Sequence, residues 1–335
     1  MNHREVSEPG GSQPDLAELG PLALDVFLVP KVWGGSALNS LNEELGDGQP
    51  IGEAWLLYDR PNGSSSVRGA SVSLADLRAA SPADLIGTAL DGYGGRFPLL
   101  VKYLHACEIL SLQVHPDDLA ANGDGGKEEC WLVLQAGKSA KAYLGLKEGV
   151  SKDRLVSGLE SGELDELLNT VTLKPGDVVH VPPGTAHALG GDVLVLEVQQ
   201  NSDATHRLSD WGRGRPIHVD EALSCIDVHS RPRLNQGVSS VAGGGHLLVS
   251  TPYFSMYRYR LDRPVEISGH GGYCVLVGLD GVGSVTAGGH ERDVSKQALL
   301  IPACFGSFVV QPSDSLDVVI CVPGGITVTD CVASD

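Results

Sequence analysis

Residues 176–187 read Gly-Asp-Val-Val-His-Val-Pro-Pro-Gly-Thr-Ala-His. The β-branched run predicts a short strand, and the Pro-Pro-Gly that follows predicts a tight turn. Pro182 and Pro183 stiffen that turn, and Gly184 permits a positive φ. The turn therefore delivers His187 in a fixed direction, with Gly176, Pro182, Gly184 and His187 spaced as G-x5-P-x-G-x2-H. A strand that turns in order to aim one imidazole predicts a β fold with a polar centre.

Upstream, residues 111–118 read S-L-Q-V-H-P-D-D. On a strand, the period of two sends Gln113 and His115 to one face and Leu112 and Val114 to the other. Pro116 ends the strand. The two donors stand about 7 Å apart along the backbone and can converge on one ion. After a Gly-rich loop at 122–126 comes Lys127-Glu128-Glu129-Cys130-Trp131. That loop lets the chain turn back antiparallel. Glu129 is then the inward carboxylate with Trp131 and Val133, and Glu128 the solvent one. Taken singly, a Q-x-H reads as the polar face of an edge strand, and a Glu before an apolar strand reads as solvated surface. Beside His187 they make a set of one amide oxygen, two imidazoles and one carboxylate. Such a set suits Zn²⁺ with an open position, and Mn²⁺, Fe²⁺ or Co²⁺ are compatible with the same donors. His180, in the same strand run, reads as a core or rim histidine. The histidines at 3, 105, 206, 218, 229, 246, 270 and 290 have no such context and read as structural or exposed.

At 335 residues the chain can bury one large core or two medium ones, and two is the better expectation. Hydrophobic residues make up 42% and charged residues 20%, an ordinary globular composition. The formal net charge of −18 offers no basic face, which argues against nucleic acid or an anionic membrane as partner. An anionic substrate must be met by a few local cations. No run approaches the roughly 20 apolar residues of a membrane span. The first twenty residues lack an apolar core and read as a solvated tail rather than a secretion signal. Seven cysteines (107, 130, 225, 274, 304, 321, 331) with no C-x-x-C pair fit neither a disulfide framework nor a thiolate zinc site. Reduced thiols in a cytoplasmic protein are the expectation.

Most of the chain predicts short strands, at 193–198, 246–250, 253–261, 273–279, 298–302 and 317–322, with 43 glycines supplying turns. Helical spacing occurs at 73–90, with a Ser81-Pro82 start signal, and at 151–168 behind a Ser cap. A short helix is expected at 220–225. The fold class expected is therefore mainly β, as two β-barrel or jelly-roll units with helical insertions in the N-terminal part. Text between about 216 and 241 turns irregular. The expected division is a disordered tail at 1–20, a metal-binding catalytic unit at 21–235 and a second β unit without metal at 236–335. The phrase K-Q-A-L-L-I-P-A-C-F-G-S-F at 296–308 echoes the strand–Pro–turn of 178–187 without its histidine.

The spacing in residues 176–187 resembles the second motif of the cupin superfamily. More specifically, F-P-L-L-V-K (97–102), L-S-L-Q-V-H-P-D-D (110–118), G-K-E-E-C-W (126–131), P-G-D-V-V-H-V-P-P-G-T-A-H-A-L (175–189) and L-E-V-Q-Q-N-S-D-A-T-H-R-L-S-D-W (196–211) resemble the type I mannose-6-phosphate isomerases. V-W-G-G (32–35) and I-G-E-A-W (51–55) fit the N-terminal region of the short bacterial class. The resemblance covers roughly residues 22–215. It implies two cupin-like barrels and one Zn²⁺ held by Gln113, His115, Glu129 and His187. It also implies interconversion of mannose 6-phosphate and fructose 6-phosphate through a cis-enediolate; a monomer and a homodimer are both compatible with the sequence. The family's catalytic arginine falls on Arg207 and a substrate-facing lysine on Lys127. Arg207 would stabilise the enediolate oxygen or hold the phosphate; Lys127 would bind phosphate or act as base. His206 and Trp211 stand where the short class often has tyrosines, a change expected at the pocket rim. The rival readings are another metal-dependent cupin enzyme, such as an Fe²⁺ oxygenase, and a non-enzymatic sugar-binding cupin. The first needs a histidine-richer ligand set; the second sits poorly with Lys127, Arg207 and four intact donors.

Overall fold

The computed structural model describes residues 15–41, 49–87, 95–121 and 125–332. Two sheets face each other in the N-terminal part. The larger runs, in spatial order, through Arg233–Leu234, Val178–Val181, Glu129–Ala136, Val193–Gln200, Leu99–Ala106, Ile51–Leu57 and Phe27–Gly35. The smaller runs through Leu168–Thr172, Lys141–Leu146, His187–Gly190, Leu112–Val114 and His206–Ser209. Between them lies a core that includes Leu104, Trp131, Val179, Val195, Leu144 and Leu189. A third sheet is built around Phe254–Leu261, Cys274–Ala287, Ala298–Ile301 and Ser307–Pro323.

Alternation along the strands explains how the larger sheet serves two purposes. Leu99, Val101 and Tyr103 pack outward in one cluster with Phe254, Tyr273, Val275 and Val319 of the third sheet. Their alternates Leu100, Lys102 and Leu104 face the pocket between the first two sheets. Val193–Gln200 repeats the pattern: Leu196 and Val198 go outward, while Glu197 and Gln199 line the pocket. These strands are buried on both faces, which is why they read as nearly continuous apolar runs. On the smaller sheet, Leu112 and Val114 face outward, as their parity predicted. They pack with Leu155, Leu164 and Ala222 from the helices Lys152–Ser161, Leu164–Leu167 and Val219–Cys225.

The helical stretch expected at 73–90 divides into Leu74–Ala80 and Pro82–Ile86. Ser73 and Asp76 form a capping box at the first, and Pro82 opens the second, so the break lies at the Ser81-Pro82 signal. Leu90 lies outside the described residues, as do residues 122–124 of the Gly-rich loop.

Two expectations about the N-terminus are corrected. Residues 1–14 lie outside the described residues, but 15–20 are not a solvated tail. Asp15 caps the helix Leu16–Leu19, and Leu16 is buried. Nor do residues 22–23 stay with the first unit. Leu22–Ala23 pairs antiparallel with Ala298–Ile301, Leu22 opposite Leu300. Apolar side chains at Leu16, Leu22 and Leu24 explain both, since they join the core shared with the third sheet.

The echo at 296–308 folds as a strand, a proline, a turn and a second strand. Ser307, exposed, stands where His187 would fall. The interior of that unit is filled by Tyr259, Val265, Ile267, Leu276, Val310 and Ile320.

The two halves also meet through backbone. Gly87, at φ +71°, bridges Gly272, and a Cβ there would collide with the Gly271 carbonyl and crowd Ala303. Gly87→Ala is expected to cost about 2–4 kcal/mol. A urea midpoint close to wild type would show that this contact is dispensable. No helix among the described residues is long and apolar enough to cross a membrane.

Candidate metal centre

The smaller sheet sets three of the residues singled out from sequence side by side. Gln113 is the register partner of His187 on one side and of Arg207 on the other. His115 follows the Gln113 strand directly, and His187 is the first residue of its own strand. Glu129 arrives from the facing sheet, where it opens Glu129–Ala136 and pairs with Val181 and Gln199. The His115 and His187 Nε2 atoms lie 3.4 and 3.2 Å from the Glu129 carboxylate oxygens. The Gln113 amide nitrogen lies 3.4 and 3.2 Å from the same two ring nitrogens. Turning that amide over puts its oxygen there instead.

The turn at 182–187 acts as the sequence predicted. Gly184 adopts φ +77°, and its N–H donates to the His115 carbonyl at 2.8 Å, so the segments bearing the two histidines are tied together. Each imidazole is oriented from behind. His115 Nδ1 donates to the Ala204 carbonyl at 2.8 Å and His187 Nδ1 to that of Thr185 at 2.9 Å. With Nδ1 occupied in this way, the lone pair on each Nε2 faces the cluster, the tautomer a metal requires.

Charge in the cluster fits the same purpose. Burial and then the Lys127 ammonium push His115 down to about 3, so its ring is neutral. Burial alone would raise the Glu129 carboxyl, but the Lys127 ammonium outweighs it and holds it well below the usual range. Neutral imidazole and ionised carboxylate are the forms that bind cations. His115, Glu129 and His187 are each about 1% exposed, and their donor atoms lie within 4.8 Å of one another. Buried donors of this kind, from facing sheets and with both rings oriented, fit a divalent ion such as zinc.

The comparisons with known proteins point the same way. The family model for the type I phosphomannose isomerase catalytic domain matches residues 22–138. A mannose-6-phosphate isomerase of Streptococcus mutans is 34% identical over 297 residues, covering 84% of this chain and 92% of that protein. The probable mannose-6-phosphate isomerase GmuF of Bacillus subtilis is 32% identical over 307 residues, covering 87% of this chain and 96% of its own. The chain belongs to the type I phosphomannose isomerase family. The crystal structure of a Bacillus subtilis mannose 6-phosphate isomerase superposes with a TM-score of 0.80 at 29% identity, over 90% of this chain and 99% of that one. The phosphomannose isomerase fold thus extends over 90% of the chain.

The pocket beside the cluster has a volume of about 280 Å³. Lys127 lies at its floor, buried, with Nζ 2.8 Å from both His115 Nε2 and Glu129 Oε2. Arg207 stands half-buried in the wall. Its Nη1 donates to the Pro216 carbonyl at 3.1 Å, and its buried Nε has no hydrogen-bond partner among the described residues.

Sequence reasoning missed a charged wall. Glu53, Lys102 and Glu197 line the pocket, with Lys102 Nζ 3.6 Å from Glu53 and 3.4 Å from Glu197. Lys31 reaches Glu53 at 3.1 Å, and the Trp55 indole donates to it at 2.7 Å. Burial opposes ionisation of Glu53, but Lys102 and Lys31 win and bring it to about 2. Burial lifts Glu197 to about 7 despite Lys102, with the Glu129 charge adding to the rise. The available signal was a lone charge inside an apolar strand, as in L-L-V-K-Y-L and V-L-V-L-E-V. Such a charge is rarely buried without a partner.

Other expectations need correction. Glu128 is not the solvent carboxylate: it is 6% exposed and bonded to His180 Nε2 at 2.6 Å, because the neighbouring strand brings His180 over it. His206 and Trp211 are not pocket-lining residues. Trp211 turns away to stack near Tyr143 and to donate to the Leu110 carbonyl. Cys107, Cys130, Cys225, Cys274, Cys304 and Cys321 are all free thiols.

Proposed function

We propose that this chain interconverts mannose 6-phosphate and fructose 6-phosphate through a cis-enediolate, with one zinc ion held by Gln113, His115, Glu129 and His187. The observation that carries the reading is the convergence of those four side chains, from two facing sheets, on the floor where the Lys127 ammonium also lies. When bound, zinc supplies Lewis-acid polarisation of the sugar's carbonyl and hydroxyl oxygens.

The residues of the chain do the remaining work. In the aldose-to-ketose direction a proton leaves C2 and one is delivered to C1, while the hydroxyl proton passes from O2 to O1. No external oxidant or reductant enters this balance. Lys127 is buried and lies within 2.8 Å of Glu129, which supports a place at the reacting carbons rather than at the phosphate. Glu197, held near neutrality by burial, is suited to exchange a proton with the substrate. Arg207 neighbours Gln113 in the sheet and keeps Nε unbonded, so it can donate to an enediolate oxygen. Arg215 lines the same pocket; Asp210 holds its Nε and Nη2, which leaves Nη1 to meet the phosphate dianion. These local cations suit an anionic sugar in a chain of net charge −18.

The unit at 21–235, apart from Leu22–Ala23, which pair with the third sheet, would carry the chemistry, and the unit at 236–335 would hold no metal. Six unpaired thiols support a reducing, cytoplasmic setting. The acidic balance supports a small-molecule substrate rather than nucleic acid or membrane, for a monomer or homodimer.

A coupled assay for fructose 6-phosphate, run on enzyme of known metal content, tests this function. Mannose 6-phosphate should be turned over, turnover should cease on chelation, and added Zn²⁺ should restore it. Undiminished turnover by metal-stripped enzyme would sink the metal assignment.

A further inference from the structure

The segment that carries Lys127 into the pocket is pinned peptide by peptide. The Gly126 N–H donates to Asp118 Oδ1 at 2.7 Å, and the Lys127 N–H to the Pro116 carbonyl at 3.0 Å. The Glu128 N–H donates to Gln200 Oε1 at 2.8 Å, and the Gly125 carbonyl accepts from Ser202 Oγ at 2.8 Å. Two of these holders are joined, since Gln200 Nε2 donates to Asp118 Oδ1 at 3.1 Å. The approach is close enough to require glycine: a Cβ on Gly126 would lie 2.7 Å from the Asp118 backbone nitrogen.

The other oxygen of Asp118 is engaged from across the molecule. Tyr253, 135 residues away, donates its hydroxyl to Asp118 Oδ2 at 2.7 Å. Tyr253 immediately precedes the strand Phe254–Leu261 of the third sheet, and its ring packs on the core shared by the two units. Its backbone is fixed as well, with its N–H donating to Thr251 Oγ1 and its carbonyl accepting from Gly324. Burial opposes ionisation of Asp118, but bonds from Tyr253, Gly126 and Gln200 outweigh it and keep the carboxyl below its ordinary value. An anion is thereby held where one donor of the Lys127 segment, one from Gln200 and one from the second unit meet.

We propose that the second β unit is a working part of the active site, with Tyr253 a positioning residue that sets Lys127 through Asp118 and Gln200. The inference rests on the reading of Lys127 as acting at the reacting carbons. Tyr253 touches neither substrate nor donor set. It fixes Asp118, Asp118 fixes the Gly126 peptide, and the Lys127 ammonium hangs from the next residue. A shift of a fraction of an ångström at Asp118 is passed to an ammonium group that must lie against Glu129, and reaction rate is steeply sensitive to such displacement.

The test is a kinetic cycle on the full-length, zinc-loaded enzyme. Tyr253→Phe should lower kcat about three- to tenfold with KM and zinc content held within about twofold, because only orientation is lost. In a Lys127→Ala background the same substitution should change the residual kcat by less than about 1.5-fold, since the group being positioned is gone. Gly126→Ala, which displaces Asp118 from the other side, should reproduce the kcat loss. If that variant does not fold, the Tyr253 cycle stands alone. A wild-type kcat for Tyr253→Phe, or an equal loss in both backgrounds, overturns the positioning role while leaving the Lys127 reading intact. Full activity of Lys127→Ala itself overturns both.

Discussion

Replacing His187 with alanine is expected to leave the enzyme without its metal and without measurable isomerase activity. The imidazole is about 1% exposed and has both nitrogens committed, Nδ1 to the Thr185 carbonyl and Nε2 toward Gln113 and Glu129. Of the described neighbours, Thr185 is occupied by Ser230 and Trp131 presents only an indole ring, so neither can replace it. Removing one of the four proposed donors should lower affinity steeply, and the buried Glu129 carboxylate then keeps only Lys127 and His115 beside it. Zinc content should fall to about a tenth or less of wild type, and kcat by about a thousandfold or more. Metal binding is linked to folding, so the wild-type protein should also gain thermal stability from added Zn²⁺ while His187→Ala should not. Elemental analysis, the coupled assay and a melting curve read the three effects. A variant that keeps its zinc and its turnover would remove His187 from the site.

That this residue could be singled out from sequence follows from the locality of its signals. A β-branched run, two prolines, one glycine and a histidine lie within twelve residues, and the structure uses each in place: Gly184 at positive φ, Thr185 orienting the ring. The Gln113-Val114-His115 parity is equally local, needing only the alternation of a strand. What could not be read is whatever depends on which strands lie side by side. Lys102 faces Glu197 because Leu99–Ala106 pairs with Val193–Gln200, and it meets Glu53 because Ile51–Leu57 pairs on the other side. Each charge looked solitary in its own segment, and register between distant strands supplied the partner. The burial of Glu128 is hidden for the same reason: alternation gives it the face opposite Glu129, but only pairing with Val178–Val181 shows that His180 covers that face. The N-terminal helix and Leu22–Ala23 escaped too, since a few leucines in a polar stretch show no burial until the third sheet receives them.

Arg207→Ala should separate chemistry from metal binding. The guanidinium bonds to the Pro216 carbonyl and to no donor side chain of the cluster, and the backbone of Arg207 is fixed independently. Its N–H donates to His218 Nδ1, its carbonyl accepts from the His218 N–H, and its strand pairs with Gln113. Truncation therefore leaves the sheet, and with it the four donors, where they are; zinc content should stay at the wild-type level. What disappears is a fixed cation with an unbonded, buried Nε at the wall of the pocket. A donor of that kind matters most when negative charge develops on the substrate, in a site that excludes water. Its loss should appear in kcat rather than in KM, by about a hundred- to ten-thousandfold. Arg207→Lys should restore little of this, because a point ammonium cannot reproduce a planar fork of donors aimed from a half-buried stem. A fall in KM affinity with kcat preserved would move Arg207 to the phosphate end of the substrate. Loss of zinc together with activity would make it a structural support of the Gln113 strand. Retention of zinc with collapse of kcat is the result the geometry requires, because nothing joins the guanidinium to the donor cluster except the pocket they share.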